Sequence, residues 1–302
     1  RGYVPLIECT NCGWAPQCPD CSVTMTVHRS RHQLRCHYCG RTARVPKFCP
    51  TCGSADMVLL GTGTQKVEEE LETMFPASRV LRMDLDSTSG KNSHDKLLRE
   101  FGDGKADILL GTQMVAKGLD FARVTLVGVI NADIGMLLPD FRSEERIFQL
   151  LSQVAGRSGR AALRGEVIIQ TRNPDRLVIR YARDHDYHAF AASALEERRQ
   201  LGWPPYGRLA GIEFRGPEED KVSDIARRFT EVLRSRIVGG DILGPEQAFI
   251  GRVKKQYRYH TIVRFRRGGG DLQKLLREVD EIFAERPRGY RINIDVDPIG
   301  LF

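Results

Sequence analysis

Residues 153–160 read Q-V-A-G-R-S-G-R and are the most informative stretch of this 302-residue sequence. A glutamine, Gln153, is followed by two arginines, Arg157 and Arg160, that lie three residues apart among small neighbours. A guanidinium group presents a rigid fork of donors that suits phosphate oxygens, and small neighbours let a phosphate approach closely. We therefore interpret these three residues as a nucleotide-facing set with a catalytic role. The alternative, a basic helix end that only complements its helix dipole, stays open.

A second segment, residues 111–121, reads G-T-Q-M-V-A-K-G-L-D-F and directly follows a strand-like apolar run at 108–110. Ligands of open α/β sheets bind beyond the carboxyl ends of strands. The candidate binding residues in this segment are Thr112, Gln113, Lys117, Gly118 and Asp120. Both segments resemble C-terminal motifs of superfamily 2 helicases. No stretch matches G-x-x-x-x-G-K-[ST], the loop that cradles nucleotide phosphates. We therefore expect this chain alone neither to bind ATP tightly nor to hydrolyse it.

All eight cysteines lie within residues 9–52 and form four C-x-x-C pairs. Two thiolates with this spacing can share one metal ion, and two pairs complete a tetrahedral zinc shell. Residues 22–34 alternate like a strand and then turn, which predicts a hairpin that returns the chain to its start. The hairpin favours two structural zinc sites, the first with Cys9, Cys12, Cys49 and Cys52 and the second with Cys18, Cys21, Cys36 and Cys39. Pairing in sequential order is the alternative.

Three histidines accompany these cysteines. We expect His28, His32 and His37 to be solvated hairpin residues, and His37, which follows a cysteine, is an alternative zinc ligand. Nothing in the cysteine set leaves an open coordination position, so we expect neither zinc to be catalytic.

Beyond the cysteines, strand-like runs alternate with helix-like segments, which is typical of an α/β fold with an open parallel sheet. The runs at 108–110 and 124–130 are predicted to be buried strands, and 143–158 a helix. Asp133 and Asp140, with Arg142, are predicted to form either a coupling loop or a structural turn. A helical connector reaches residue 201. The order β-α-β-β-α-β then follows, the split βαβ or ferredoxin-like arrangement.

The charge pattern points to a polyanionic partner. The net charge is +7, which favours nucleic acid. One predicted hairpin interleaves aromatics with basic residues, which suits single-stranded nucleic acid; its basic residues are Arg252, Lys254, Lys255, Arg258, Arg264, Arg266 and Arg267. A solvated sheet face and a groove for an acidic peptide are the alternatives. With no membrane-length apolar run and no secretory signal at its start, the sequence predicts a cytoplasmic protein.

Taken in order, the sequence motifs resemble the PriA family of bacterial primosomal replication-restart helicases over the whole chain. They are the paired cysteines, G-T-G-T, R-M-D-L-D-S-T, L-L-G-T-Q-M-V-A-K-G, P-D-F-R-S-E-E-R, Q-V-A-G-R-S-G-R, W-P-P-Y and D-V-D-P. The chain departs from the family at Gln65, Ala122 and Ser158, where glutamate, proline and alanine are usual. The resemblance implies a RecA-like second helicase lobe at 54–200 with its helical connector. Residues 1–8 would continue a truncated first strand of that lobe, 9–53 would be the inserted zinc module, and 201–302 a C-terminal α+β domain.

By this resemblance, the chain is the C-terminal half of an ATP-dependent 3′-to-5′ DNA helicase that recognises stalled or branched forks and initiates primosome assembly. Thr112, Gln113 and Lys117 would contact DNA or transmit the nucleotide state, and Lys254, Lys255 and Arg258 would contact DNA in the terminal domain. Gly118 and Asp120 would lie at the nucleotide, and Arg157 and Arg160 at its terminal phosphates.

The resemblance also implies cofactors and partners. ATP and Mg²⁺ would be held mainly by another lobe, and two zinc ions by the cysteines. The expected partners are forked and single-stranded DNA, the single-stranded-DNA-binding protein and other primosome proteins, with a monomer acting at the nucleoid. A non-catalytic zinc-stabilised DNA-binding or scaffold relative is the alternative.

Overall fold

The computed structural model describes residues 6–28, 33–60, 63–83, 93–112, 115, 121, 123–137, 140–155, 165–266 and 271–301. The strands are β1 Leu6–Cys9, β2 Thr26–His28, β3 Gln33–Arg35, β4 Thr42–Arg44, β5 Met57–Leu60, β6 Val80–Met83, β7 Ile108–Gly111, β8 Leu126–Val129, β9 Glu166–Ile169, β10 Gly207–Gly216, β11 Gly240–Val253, β12 Gln256–Arg266 and β13 Arg291–Val296. The helices are α1 Thr64–Met74, α2 Ser93–Gly102, α3 Ser143–Ala155, α4 Leu177–Arg183, α5 Tyr187–Leu201, α6 Glu219–Arg236 and α7 Leu272–Ile282, with a 3₁₀ helix at Ala132–Leu137. Within these ranges no helix combines the length and the apolar character needed to cross a bilayer.

The cysteine-rich part is built on short antiparallel strands. The predicted hairpin is present as β2 and β3, which pair with Thr26 opposite Arg35, and β4 adds a third strand. Strand β1 pairs with β5 and brings the two ends of this part together. His28 is buried with 6 % exposure and its Nε2 lies 3.3 Å from Nε2 of His37, so the expectation that it is solvated was wrong. The ring packs against that of His37, with the two centroids 5.1 Å apart.

The middle of the chain contains two parallel strand pairs, β6 with β7 and β8 with β9. Helix α3 packs Ile147, Phe148 and Leu151 against α4 and the 3₁₀ helix. The expectation of buried strands at 108–110 and 124–130 was wrong, because β7 is only half-buried and β8 alternates, with Leu126 57 % exposed. Among the described residues, no strand hydrogen-bonds the β6–β7 pair to the β8–β9 pair.

The last hundred residues form a four-stranded antiparallel sheet in the order β11-β12-β10-β13. Helices α6 and α7 pack on one face. Phe229 and Leu233 on α6, and Leu272 and Leu276 on α7, are one helical turn apart and meet the inward side chains of β10 and β12. The chain order is the predicted β-α-β-β-α-β, but β11 begins at Gly240, eight residues before the expected start at 248.

The start of α3 meets the terminal sheet through an aromatic and polar junction. The ring of Phe141 stacks on Trp203 with centroids 5.2 Å apart. Arg142 Nη1 donates to the carbonyls of Pro298 at 2.8 Å and Ile299 at 2.6 Å. The C-terminal D-V-D-P segment, in which the sequence shows no chemistry, therefore anchors α3.

Candidate metal centres and nucleotide-facing segment

The eight cysteines form two groups of four. Cys9, Cys12, Cys49 and Cys52 make the first cluster, and Cys18, Cys21, Cys36 and Cys39 make the second; within each, all four Sγ atoms lie within 4.8 Å of one another. These are the two sets that the hairpin argument favours over sequential pairing. The second cluster is mostly buried, whereas Cys12 and Cys52 of the first cluster are exposed.

The sulfur spacing fits a tetrahedral zinc ion. The distances Cys9–Cys52, Cys12–Cys49 and Cys18–Cys39 are each 3.6 Å between Sγ atoms. Zinc–sulfur bonds of about 2.3 Å would place tetrahedral ligands about 3.8 Å apart, whereas a disulfide needs about 2.05 Å. The cysteines are free thiols. Each cluster can therefore hold one zinc ion, and neither contains a histidine among the described residues.

Local turns position the ligands. In three pairs the second cysteine is followed by a glycine with positive φ, at Gly13, Gly40 and Gly53. Each of these glycines donates its amide to the carbonyl of the first cysteine in its pair, at 2.9 Å. A side chain is rarely tolerated at such φ values, which explains the C-x-x-C-G pattern. The fourth pair, Cys18 and Cys21, is followed by Ser22 instead.

Each cluster contains a thiol with a raised pKa and a thiol with a lowered one: Cys12 and Cys52 in the first, Cys21 and Cys39 in the second. The Ser54 amide and the Asn11 side chain lower the pKa of Cys52 to about 6. Burial raises the pKa of Cys21 to about 12, against the opposing effect of the Lys254 amide. Because zinc binds the thiolate, its binding releases protons from the thiols with a raised pKa, Cys12 in the first cluster and Cys21 in the second.

The nucleotide-facing segment is described only in part. Thr112 is half-buried directly after β7, where the sequence places it. At Gly111 a Cβ atom would lie 2.5 Å from the Met83 carbonyl oxygen, so the close approach of β6 and β7 requires glycine. Gln153 is exposed on α3. The remaining candidates, Gln113, Lys117, Gly118, Asp120, Arg157 and Arg160, lie outside the described residues.

Asp133 and Asp140 have structural partners. Asp133 accepts from Thr171 Oγ1 at 2.7 Å and from the Arg172 amide at 2.8 Å, which ties the 3₁₀ helix to the end of β9. Asp140 accepts from the Arg142 amide at 2.9 Å, directly before α3. Of the two interpretations of these acids, both contacts favour the structural turn.

The basic hairpin of β11 and β12 is not one free cationic surface. Lys254 and Lys255 are exposed at its tip. Arg258, however, is 18 % exposed with its Nε 2.6 Å from Glu213 Oε1, and Arg264 pairs with Asp241 at 2.9 Å. Sequence reasoning missed Glu213, although an acid at the centre of the apolar strand β10 is a signal for a buried ion pair.

Comparison with known proteins first identifies the class of protein to which the chain belongs. The family model described as helicase conserved C-terminal domain matches residues 48–162. The chain is thus a helicase C-terminal domain joined to a cysteine-rich module and a further α/β domain. Two more specific models match on either side: the PriA DNA helicase Cys-rich region at 18–44 and the primosomal protein N C-terminal domain at 199–299. The chain belongs to the PriA family.

Full-length relatives agree with this assignment. The Replication restart protein PriA of Bacillus subtilis is 45 % identical over 99 % of the chain, and that of Haemophilus influenzae is 40 % identical over 99 %. The Synechocystis protein of the same name is 40 % identical over the whole chain. The chain spans 37 %, 41 % and 36 % of these relatives respectively.

Proposed function

We propose that this chain is the C-terminal part of an ATP-dependent, superfamily 2 DNA helicase that moves 3′ to 5′, recognises stalled or branched forks and initiates primosome assembly. The observation that carries the proposal is the order of three matched regions, cysteine-rich, helicase and PriA C-terminal, in one chain. The relative named Replication restart protein PriA in Bacillus subtilis aligns over all three.

We propose four parts for the chain: 1–8 as the continuation of a first strand, 9–53 as a module with two structural zinc ions, 54–200 as a RecA-like lobe and 201–302 as a ferredoxin-like domain. The parallel pairs β6–β7 and β8–β9 support the RecA-like assignment. The sheet order β11-β12-β10-β13 with both helices on one face supports the ferredoxin-like one.

We assign roles to the candidate site residues from their places after strand β7 and at the end of helix α3. Gln153, Arg157 and Arg160 face the nucleotide together with Gly118 and Asp120, while ATP and Mg²⁺ are held mainly by a lobe outside this chain. Exposed Gln153 on the last turns of α3 supports this, because it leads directly into the arginines. Thr112, Gln113 and Lys117 follow β7 and contact the DNA strand or transmit the nucleotide state.

Further DNA contacts come from the terminal domain, through exposed Lys254 and Lys255. Arg258 shapes that surface from its ion pair with Glu213. The protein works as a monomer at the nucleoid on forked and single-stranded DNA, with the single-stranded-DNA-binding protein and primosome proteins as partners.

The first prediction concerns Arg157. In the full-length protein, Arg157→Ala should lower ATP-driven unwinding of forked DNA by about 10³-fold or more, since arginines at a transferring phosphate contribute 10³–10⁵ in rate. Fork affinity, measured by fluorescence anisotropy without nucleotide, should stay within about twofold. Arg183→Ala is the matched control, because Arg183 is exposed and pairs only locally with Asp184 among the contacts described here.

Unwinding by Arg157→Ala at the parental rate would remove the assigned role. Should the unmutated full-length protein bind forks but fail to unwind them with ATP, the motor proposal is lost and the scaffold alternative stands.

A further inference from the structure

The tip of the β11–β12 hairpin lies against the second cysteine cluster, although Lys254 and Cys21 are 233 residues apart in sequence. The Lys254 amide donates to Cys21 Sγ at 3.3 Å. The Lys255 amide donates to the Asp20 carbonyl at 2.8 Å, and the Ser22 amide to the Arg252 carbonyl at 2.9 Å. These contacts surround the turn that presents Cys21.

A comparison of the four cysteine pairs shows what these contacts replace. The second cysteine of three pairs accepts an amide from the residue two positions later: Cys12 from Trp14, Cys39 from Arg41 and Cys52 from Ser54. Cys21 is the exception, because the corresponding amide, that of Val23, donates to the Cys21 carbonyl at 2.8 Å. The donor to its sulfur is Lys254 instead.

The sequence explains why this pair differs. The three conforming pairs have glycine after the second cysteine, in a positive-φ turn that aims the next amide at the sulfur. Ser22 occupies that place in the second cluster, and its amide is already used by the hairpin. A local donor is therefore missing at Cys21, and the terminal domain supplies one.

The hairpin tip has an unusual backbone for its residues. Lys254 and Lys255 both have positive φ, 52° and 62°, in a two-residue loop that ordinarily favours asparagine and glycine. Strained backbone of this kind persists where the surroundings hold it, often at functional sites. Here the surroundings include the Pro19 carbonyl, which accepts from Arg252 Nη2 at 2.9 Å, and the Asp20 carbonyl.

We propose that residues 252–255 supply the hydrogen-bond donor that the second zinc site lacks locally. Retention of its zinc ion therefore depends on docking of the C-terminal domain. The inference rests on the zinc assignment. An amide directed at a zinc-bound thiolate orients it and reduces its excess charge, and loss of such outer partners weakens metal binding 10–100-fold. The first zinc site has local donors and is independent of the hairpin.

The test compares Lys254→Pro, which removes the amide hydrogen and cannot adopt the positive φ of this position, with Lys254→Gly, which keeps the hydrogen and suits the positive φ. Each zinc-loaded full chain is mixed with the colorimetric chelator 4-(2-pyridylazo)resorcinol, and zinc release is followed in time. For Lys254→Pro we expect one equivalent of zinc to leave about 10–100-fold faster. Lys254→Gly should release both ions as the parent does.

Pulsed alkylation with peptide mass spectrometry identifies the ion that leaves. In Lys254→Pro, Cys18, Cys21, Cys36 and Cys39 should become alkylated first, while the first cluster stays protected. Parental release by Lys254→Pro, equal acceleration by both variants, or faster loss from the first cluster would each overturn the proposal.

A milder variant covers the case in which proline unfolds the hairpin. Arg252→Ala keeps every backbone amide and removes the contact of the side chain with the Pro19 carbonyl, together with its contact with the Tyr257 ring in the same hairpin. We expect a several-fold acceleration limited to the same four cysteines. No acceleration in this variant would count against the dependence on docking, whatever Lys254→Pro does.

Discussion

At the scale of single residues, Glu213 is a mostly buried acid that three basic side chains of the terminal domain contact. Its carboxylate accepts from Arg215 Nε at 2.5 Å and Arg258 Nε at 2.6 Å, and contacts His260 Nε2 at 3.2 Å. Burial alone would raise the pKa of Glu213, but the hydrogen bonds from His260, Arg215 and Arg258 outweigh it and hold the pKa well below its usual 4.5. The ionised form therefore stabilises the fold.

This pKa shift predicts a pH-dependent effect of Glu213→Gln. Since the folded pKa lies below the unfolded one, the stabilisation is complete above about pH 4.5 and is lost as the pH falls toward the folded pKa. Glu213→Gln should lower the free energy of unfolding by about 1–3 kcal/mol at pH 7. The difference from the parent should shrink below about pH 4.

Urea denaturation at several pH values measures this difference, with the exposed Glu285→Gln as control. A deficit that stays constant from pH 7 to pH 3 would mean that Glu213 acts through its shape and not its charge.

At the scale of elements, one buried hydroxyl pair joins helix α6 to strand β12. Thr230 Oγ1 lies 2.9 Å from Thr261 Oγ1, and both residues are fully buried. Thr230→Val should destabilise the domain by about 1–3 kcal/mol, because it leaves the Thr261 hydroxyl without this partner in an apolar core. Replacement of both threonines by valine should recover most of the loss.

A double-mutant cycle by thermal denaturation checks the pair, with Ser223→Ala, on the same helix, as a control for substitution in α6. If the double variant is as unstable as the two single losses added together, the hydroxyls do not act as a pair.

Periodic patterns were enough to predict the elements, but not all their limits. Helix α6 follows from Val222, Ala226 and Phe229, which recur at helical spacing and are fully buried. The first half of β11 was missed because glycines and Pro245 interrupt it, and in the structure a register shift separates Leu243 from Glu246. Such residues signal a turn in isolation, and only the pairing with β12 keeps the strand extended.

The same limit applies to the candidate sites. The cysteine groups could be predicted because a hairpin is a local feature that fixes which pairs meet. The outer donor from Lys254 could not, since the contact depends on how two distant domains pack. The ion pair of Arg258 with Glu213 has the same origin, because cross-strand register decides it and local charge does not.

At the scale of the whole molecule, we expect the cysteine-rich part and the terminal domain to unfold in separate steps. The two steps are coupled through the hairpin contact. The cysteine-rich part has a small apolar core, chiefly Ile7, Met25, Val27 and Leu34 beside the cysteines. Structural zinc contributes about 10–16 kcal/mol in small modules, so its removal should unfold this part. The larger core around Phe214 and Phe229 needs no metal.

Chelation with EDTA followed by hydrogen exchange tests this expectation. Strands β1 to β4 should lose protection, α6 and β10 should keep it, and residues 252–255 should become faster to exchange because binding and docking are linked reciprocally. Readdition of zinc is the control for irreversible damage. Loss of protection throughout α6 and β10 would show that the terminal domain cannot stand without the ions.

The junction with the terminal domain determines the orientation of helix α3. Its thirteen residues span about 20 Å, from the turn fastened to Trp203 and Pro298 to the residue just before Gly156. A tilt of only about 5° around the fastened end moves the far end by roughly 2 Å, since displacement grows with the length of a rigid rod. A shift of that size is enough to break a hydrogen bond. The stacking of Phe141 on Trp203 thus fixes where Ala155 lies, directly before the segment that we propose to face the nucleotide.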